Sequence, residues 1–144
     1  MGFIVVGVDG SESSAKALQW GMDLAKAMGH SVVALTGYDV PWTIFLSPTY
    51  EDSDYARDAQ EMLEQTVAQA CAEVSDVEVE SRLVPERPGL ALTMASHGAE
   101  LLVVGARGHS GMPDVHIGSV ANACVNHAHC PVVVHRDSHQ PEIV

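Results

Sequence analysis

Phe3-Ile4-Val5-Val6-Gly7-Val8 runs without a break into Asp9-Gly10-Ser11. A continuous apolar run rich in β-branched residues, closed by turn formers, is how a strand covered on both faces of a parallel sheet reads. This stretch decides the fold, because such a strand needs helices on either side of it.

The chain beyond it supplies them. A Ser-rich start opens a helix from about Ser13, with Leu18, Gly21, Met22, Ala25 and Met28 along one face and Gly29 as its stop. Residues 31–38 read as a second strand. Residues 39–49, with Pro41, Trp42, Phe45 and Pro48, fit neither helical nor strand spacing and are expected to form a loop. From about Glu51 to Val74, the residues Ala59, Met62, Leu63, Val67, Ala70 and Val74 make a second stripe; the acidic face opposite reads as solvated surface. Residues 77–83 alternate apolar and polar, as an edge strand with one wet face does. A turn through Pro85 and Pro88 then leads into a short helix ending near Gly98. Residues 101–104 read as a fourth strand, and a glycine-rich stretch follows from Gly105 to Gly118. A last helix from Ser119 to about His127 and a fifth strand over 131–135 complete the pattern. Strands alternating with helices throughout mean βαβ units with right-handed crossovers. The expected fold class is α/β: a single-domain, open, parallel five-stranded sheet with helices on both faces. The domain is expected over residues 1–137, with 138–144 as a loose C-terminal tail.

Charge narrows the function. Seven basic against 19 acidic residues give a net charge of −12, which repels nucleic acid and anionic membranes, so neither is expected as a partner. The same charge opposes any phosphate ligand, so an anion site here has to be strong and local. No apolar run approaches the roughly 18 residues that span a bilayer. The N-terminus shows no basic region or small-residue cleavage site, so no signal peptide is expected. Cys71, Cys124 and Cys130 are odd in number and scattered, which fits a reducing cytoplasm rather than a disulfide framework. Cys71 and Cys124, both on expected helices, read as buried small hydrophobes, not nucleophiles.

In open parallel sheets, ligands sit beyond the carboxyl ends of the strands, where the winding reverses. Two loops with suitable chemistry are expected there. One is Asp9-Gly10-Ser11. The other reads Gly105-Ala106-Arg107-Gly108, then nine residues, then Gly118-Ser119. Gly105 and Gly108 let backbone approach a ligand, and Gly118-Ser119 opens a helix whose free N–H groups and dipole attract an anion. Arg107, with His109 and His116 as further candidates, adds positive charge. A flexible loop ending on an ordinary N-cap is the simpler account of such a stretch in isolation. Its place after the fourth strand, ahead of a helix, favours a polyphosphate cradle. Asp9 is likewise a common turn residue, and its functional reading rests on the loop facing it. His127-Ala128-His129-Cys130 has metal-ligand types, but His127 suits a helix C-terminus and no metal site is expected.

Val6-Gly7-Val8-Asp9-Gly10-Ser11, the G-x2-G-x9-G-S pattern from Gly105 to Ser119, and Ala128-His129-Cys130-Pro131-Val132-Val133-Val134 together resemble the universal stress protein family, over about residues 3 to 136. The glycine pattern is that of its ATP-binding subgroup. The resemblance implies a Rossmann-like sheet of the adenine nucleotide alpha hydrolase type, with strand order 3-2-1-4-5. It implies Asp9 near the ribose, the backbone at Val40 along the adenine edge, and Gly105, Arg107 and Gly108 around the ribose and phosphates. Gly118, Ser119 and Val120 would hold the phosphate tail of ATP, with Mg²⁺ carried on the phosphates. It also implies a homodimer through the last strand, at Val132, Val133 and Val134. The expected function is that of a cytoplasmic, nucleotide-dependent stress-response regulator. No catalytic residue is assigned, because no water-activating group or metal-binding carboxylate pair accompanies the cradle; slow hydrolysis or phosphoryl transfer to Ser119 is the most it offers. The alternative is a dimeric partner-binding module of the same fold that binds AMP, cyclic AMP or no nucleotide. Pro113 and Asp114, in the middle of the loop where many relatives carry Leu or Arg, favour that alternative; the intact glycine pattern opposes it. Trp42 and Phe45 either stack on adenine or pack against the long helix.

Overall fold

The first apolar run is a central strand because each of its residues has a helix to meet. In the structure, a computed structural model that describes residues 1–39, 52–107 and 117–136, Ile4, Val5 and Val6 are entirely buried. Successive side chains on a strand point to opposite faces. Ile4, Val6 and Val8 therefore join one core, with Ala17, Leu18, Met22, Leu63 and Ala70, while Val5 joins another with Ala91, Leu92, Ala121 and Cys124. Full burial of each such side chain stabilises the fold by about 1.5–3 kcal/mol.

The elements follow in the order β1 (Phe3–Gly7), α1 (Glu12–Met28), β2 (Ser31–Gly37), α2 (Asp52–Glu73), β3 (Val79–Val84), α3 (Pro88–Ala95), β4 (Leu101–Gly105), α4 (Ser119–His127) and β5 (Val132–His135). All neighbouring strands pair parallel, in the order β3-β2-β1-β4-β5. The α/β class, the parallel sheet and its strand order are as the sequence led us to expect. Helices α1 and α2 contribute to the core on one face of the sheet, α3 and α4 to the core on the other. That division follows from right-handed crossovers: the chain winds outward from β1 to β3, then returns across β1 to β4 and winds the opposite way.

Local signals set the ends of α1. The Ser11 hydroxyl accepts from the Ser14 N–H at 3.1 Å, and Gly29 closes the helix in the left-handed region at φ 74°. The helix starts at Glu12, one residue ahead of expectation. Met28, expected on its buried face, is 52% exposed because the helix stops there, in its last turn. Cys71 is also exposed and corrects the expectation of burial. It lies one residue past Ala70, about 100° around the helix from the stripe that packs on the sheet. Cys124 is fully buried. Among the described residues no helix is long and apolar enough to cross a membrane. The expected loop with Trp42 and Phe45, the middle of the glycine-rich stretch with Pro113 and Asp114, and the tail at 138–144 lie outside the described residues.

Candidate functional site

Because the winding reverses between β1 and β4, their carboxyl ends lead chain away in opposite directions and leave a crevice between them. A cavity of about 200 Å³ opens there. Asp9, Gly105, Arg107, Gly118, Ser119 and Val120 all line it, so the structure brings together six of the eight residues expected from the sequence. The other two, Val40 and Gly108, lie outside the described residues.

Asp9 follows β1 and is held by the first turn of α1. Its Oδ1 accepts from the Ser11 N–H at 2.9 Å and from the Ser11 hydroxyl. Its own N–H donates to Ser14 Oγ at 3.2 Å. The carboxylate thus both braces the turn and borders the cavity. On the opposite wall, Gly118 is the N-cap of α4, in an extended conformation and with no side chain of its own to bond the helix amides. The first amides of a helix lack intrahelical partners. Gly118 spends its own N–H on the Ala106 carbonyl, at 2.6 Å, and the first-turn residues Ser119, Val120 and Ala121 line the cavity. Those amides and the helix dipole make an anion-receptive wall. Among the described lining residues Arg107 is the one cation and Asp9 the one carboxylate. The floor is apolar, built from Val8, Leu35, Leu92 and Val104.

Sequence reasoning missed a ring of glycines. β1, β2 and β4 end on Gly7, Gly37 and Gly105, and all three line the cavity. A Cβ on Gly37 would stand 2.8 Å from the Glu86 carbonyl oxygen and from Pro88 Cα. On Gly7 it would stand 2.9 Å from Leu92 Cδ1, and on Gly105 2.5 Å from Ser13 Oγ. The glycine at Gly105, expected to admit a ligand, is therefore demanded first by the seating of α1. The signal that could have found Gly37 was its place at the end of an apolar run, matching Gly7 and Gly105.

Together these features define an α/β domain with a binding crevice at the switch point of its sheet, apolar below and anion-receptive at one wall. The chain belongs to the universal stress protein family, whose model matches residues 2–136. Universal stress protein Rv1996 of Mycobacterium tuberculosis is 32% identical over 149 residues, covering 97% of this chain and 45% of that relative. The chain thus spans about half the length of the curated relatives it matches. Among solved structures, universal stress protein UspA from Lactobacillus plantarum superposes with a TM-score of 0.78 at 23% identity, over 94% of this chain and 97% of that one. A universal stress protein crystallised in complex with cAMP gives 0.74 at 26% identity, over 95% and 98%.

Proposed function

We propose that the crevice binds an adenine nucleotide, ATP carrying Mg²⁺, and that the chain is a cytoplasmic regulator whose partner contacts depend on the bound nucleotide. The observation that carries this reading is the first turn of α4, opened by a glycine N-cap at Gly118, on the same cavity as Asp9 and an apolar floor. The floor suits the base, Asp9 suits a ribose hydroxyl, and the free amides with Arg107 suit the phosphates. Among the described lining residues a single carboxylate makes no protein cage for the ion, so Mg²⁺ would arrive on the phosphates. The described lining residues include no second carboxylate and no histidine to activate water, which supports slow hydrolysis at most.

Calorimetric titration with ATP, ADP, AMP and cyclic AMP, each with and without Mg²⁺, tests the proposal. Micromolar binding of ATP supports it, and absence of heat with all four refutes it. The second reading, a domain that prefers AMP or cyclic AMP, is favoured by the cAMP complex of the 26% identical neighbour and by Asp114 in the loop, and the same titration decides it. Self-association through β5 belongs to the proposal as well. That strand pairs only with β4 among the described strands, and Val132, Val133 and Val134 stay half-buried. Light scattering of the wild type and of Val134→Pro, whose N–H lies on the side of β5 away from β4, would show a dimer lost in the variant.

A further inference from the structure

We propose that the binding site continues beyond the crevice and takes a dinucleoside polyphosphate, with the second nucleoside seated between α3 and α4. This rests on the nucleotide reading above and names the ligand class for it.

A second cavity, of about 540 Å³, adjoins the first. Pro88, Ser119 and Val120 line both, so the first turns of α3 and α4 form a shared sill. A phosphate chain held by the α4 amides in the crevice already lies at that sill. Whatever is attached to its far end passes over into the second cavity.

The lining there says what that group is. Pro88, Gly89, Leu90, Val120 and Ala123 give it apolar walls, and Leu90 stands 43% exposed. The flat faces of a base fit such walls. The polar groups stand around those walls. Thr93 Oγ1 donates to the Gly89 carbonyl at 2.8 Å and so offers a ligand only its acceptor lone pairs; Asp39 is a second acceptor, Arg87 is a donor, and the His127 imidazole can serve as either. Acceptors beside donors suit the mixed edge of a nucleobase and its ribose.

Charge agrees. In a chain with 19 acidic residues, neither α3 nor α4 carries a single Asp or Glu. Arg87, at the N-cap of α3, and Arg107, in the crevice, stand on either side of the sill and offset the charge of a bridging polyphosphate. A mononucleotide leaves the second cavity unused.

The test is calorimetry on the full chain with ATP and with diadenosine tri-, tetra- and pentaphosphate. At least one diadenosine ligand should bind about tenfold more tightly than ATP, one ligand per chain. Leu90→Glu and Arg87→Ala, both at exposed positions outside the crevice, should remove that gain and leave ATP affinity within about twofold. Diadenosine ligands no tighter than ATP overturn the proposal while leaving the nucleotide reading intact. So does a stoichiometry of two chains per ligand, which puts the bases in two separate crevices, or a gain that survives both substitutions. Failure of every nucleotide to bind overturns both.

Discussion

The N–H of Gly118 donates to the carbonyl of Ala106 across 2.6 Å, joining the start of α4 to the end of β4. The backbone before and after residues 107–117 is thereby pinned together, whatever conformation the segment between them takes. The consequence for function is that the amides of the α4 first turn are held at the mouth of the crevice by the fold itself. They need no ligand to organise them, and an anion meeting them loses little to rearrangement.

Replacing Gly118 by Val isolates that role. Gly118 has φ −70° and ψ 168°, an extended conformation open to any residue, so backbone strain is not at issue. Valine adds bulk where a phosphate would lie. Valine is a poorer N-cap than glycine, so stability should fall by about 0.5–1 kcal/mol with the domain still folded, while ATP affinity falls by at least about tenfold. Thermal melts beside calorimetry check both halves, and normal binding in the variant would reassign the cradle.

Asp9 has two duties that two substitutions separate. Asp9→Ala deletes the acceptor for the Ser11 N–H and hydroxyl, and should cost about 0.5–2 kcal/mol as a lost cap does. Asp9→Asn keeps an oxygen for Ser11 and turns the other carboxylate oxygen into an amide donor. That variant should melt near wild type yet bind AMP several-fold more weakly, with tripolyphosphate affinity unchanged. Equal losses for both ligands would place Asp9 away from the nucleoside.

The ring of glycines makes a graded prediction about stability. Gly37→Ala drives a Cβ to 2.8 Å from two backbone atoms, Glu86 O and Pro88 Cα, which cannot swing aside. Gly105→Ala meets Ser13 Oγ at 2.5 Å and Ser13 backbone carbon at 3.1 Å. Each should cost about 1–3 kcal/mol in urea unfolding. Gly2→Ala meets only the Glu100 side chain, at 2.5 Å, which is free to move, and should change stability by less than about 0.5 kcal/mol. A Gly37→Ala variant as stable as Gly2→Ala would mean that α3 is not seated against the end of β2.

The sheet was legible because its strands are buried on both faces, so periodicity, length and β-branching agree in Phe3–Gly7 and Leu101–Gly105. The crevice was legible where a motif spells it, at Asp9, Arg107 and Gly118 to Val120. It was not legible where residues meet only through the fold. Leu35, Leu92 and Gly37 reach one cavity from β2 and α3, and their local sequence says only that they are core or turn residues. Met28 and Cys71 failed for a simpler reason. An apolar residue near a stripe is buried only if the helix still has sheet beneath it and the residue faces that way, and neither condition is written in residue type.

Cys124 gives the domain a dependence on alkaline pH. It is fully buried on α4, and that burial, with a smaller contribution from Cys130, pushes its thiol up to about 11 from an ordinary 9.0. A group that holds its proton more tightly when folded adds stability below its unfolded pKa and loses it as pH rises through the folded value. The unfolded chain ionises this thiol first, so between about pH 9 and 11 ionisation pulls toward unfolding. The loss from this one group should amount to about 1–2 kcal/mol, and none of it appears below pH 8. Urea unfolding of the wild type and of Cys124→Ala at pH 7.5, 9 and 10.5 reads the difference directly. The variant is less stable at neutral pH for want of packing, and the gap should narrow as pH rises. Alkylation supplies an independent measure: exposed Cys71 should react with iodoacetamide in the native protein, and Cys124 only after unfolding. A gap that stays constant from pH 7.5 to 10.5, together with native labelling of Cys124, would mean that α4 opens to solvent far more readily than its packing against Leu92, Leu102 and Ala121 allows.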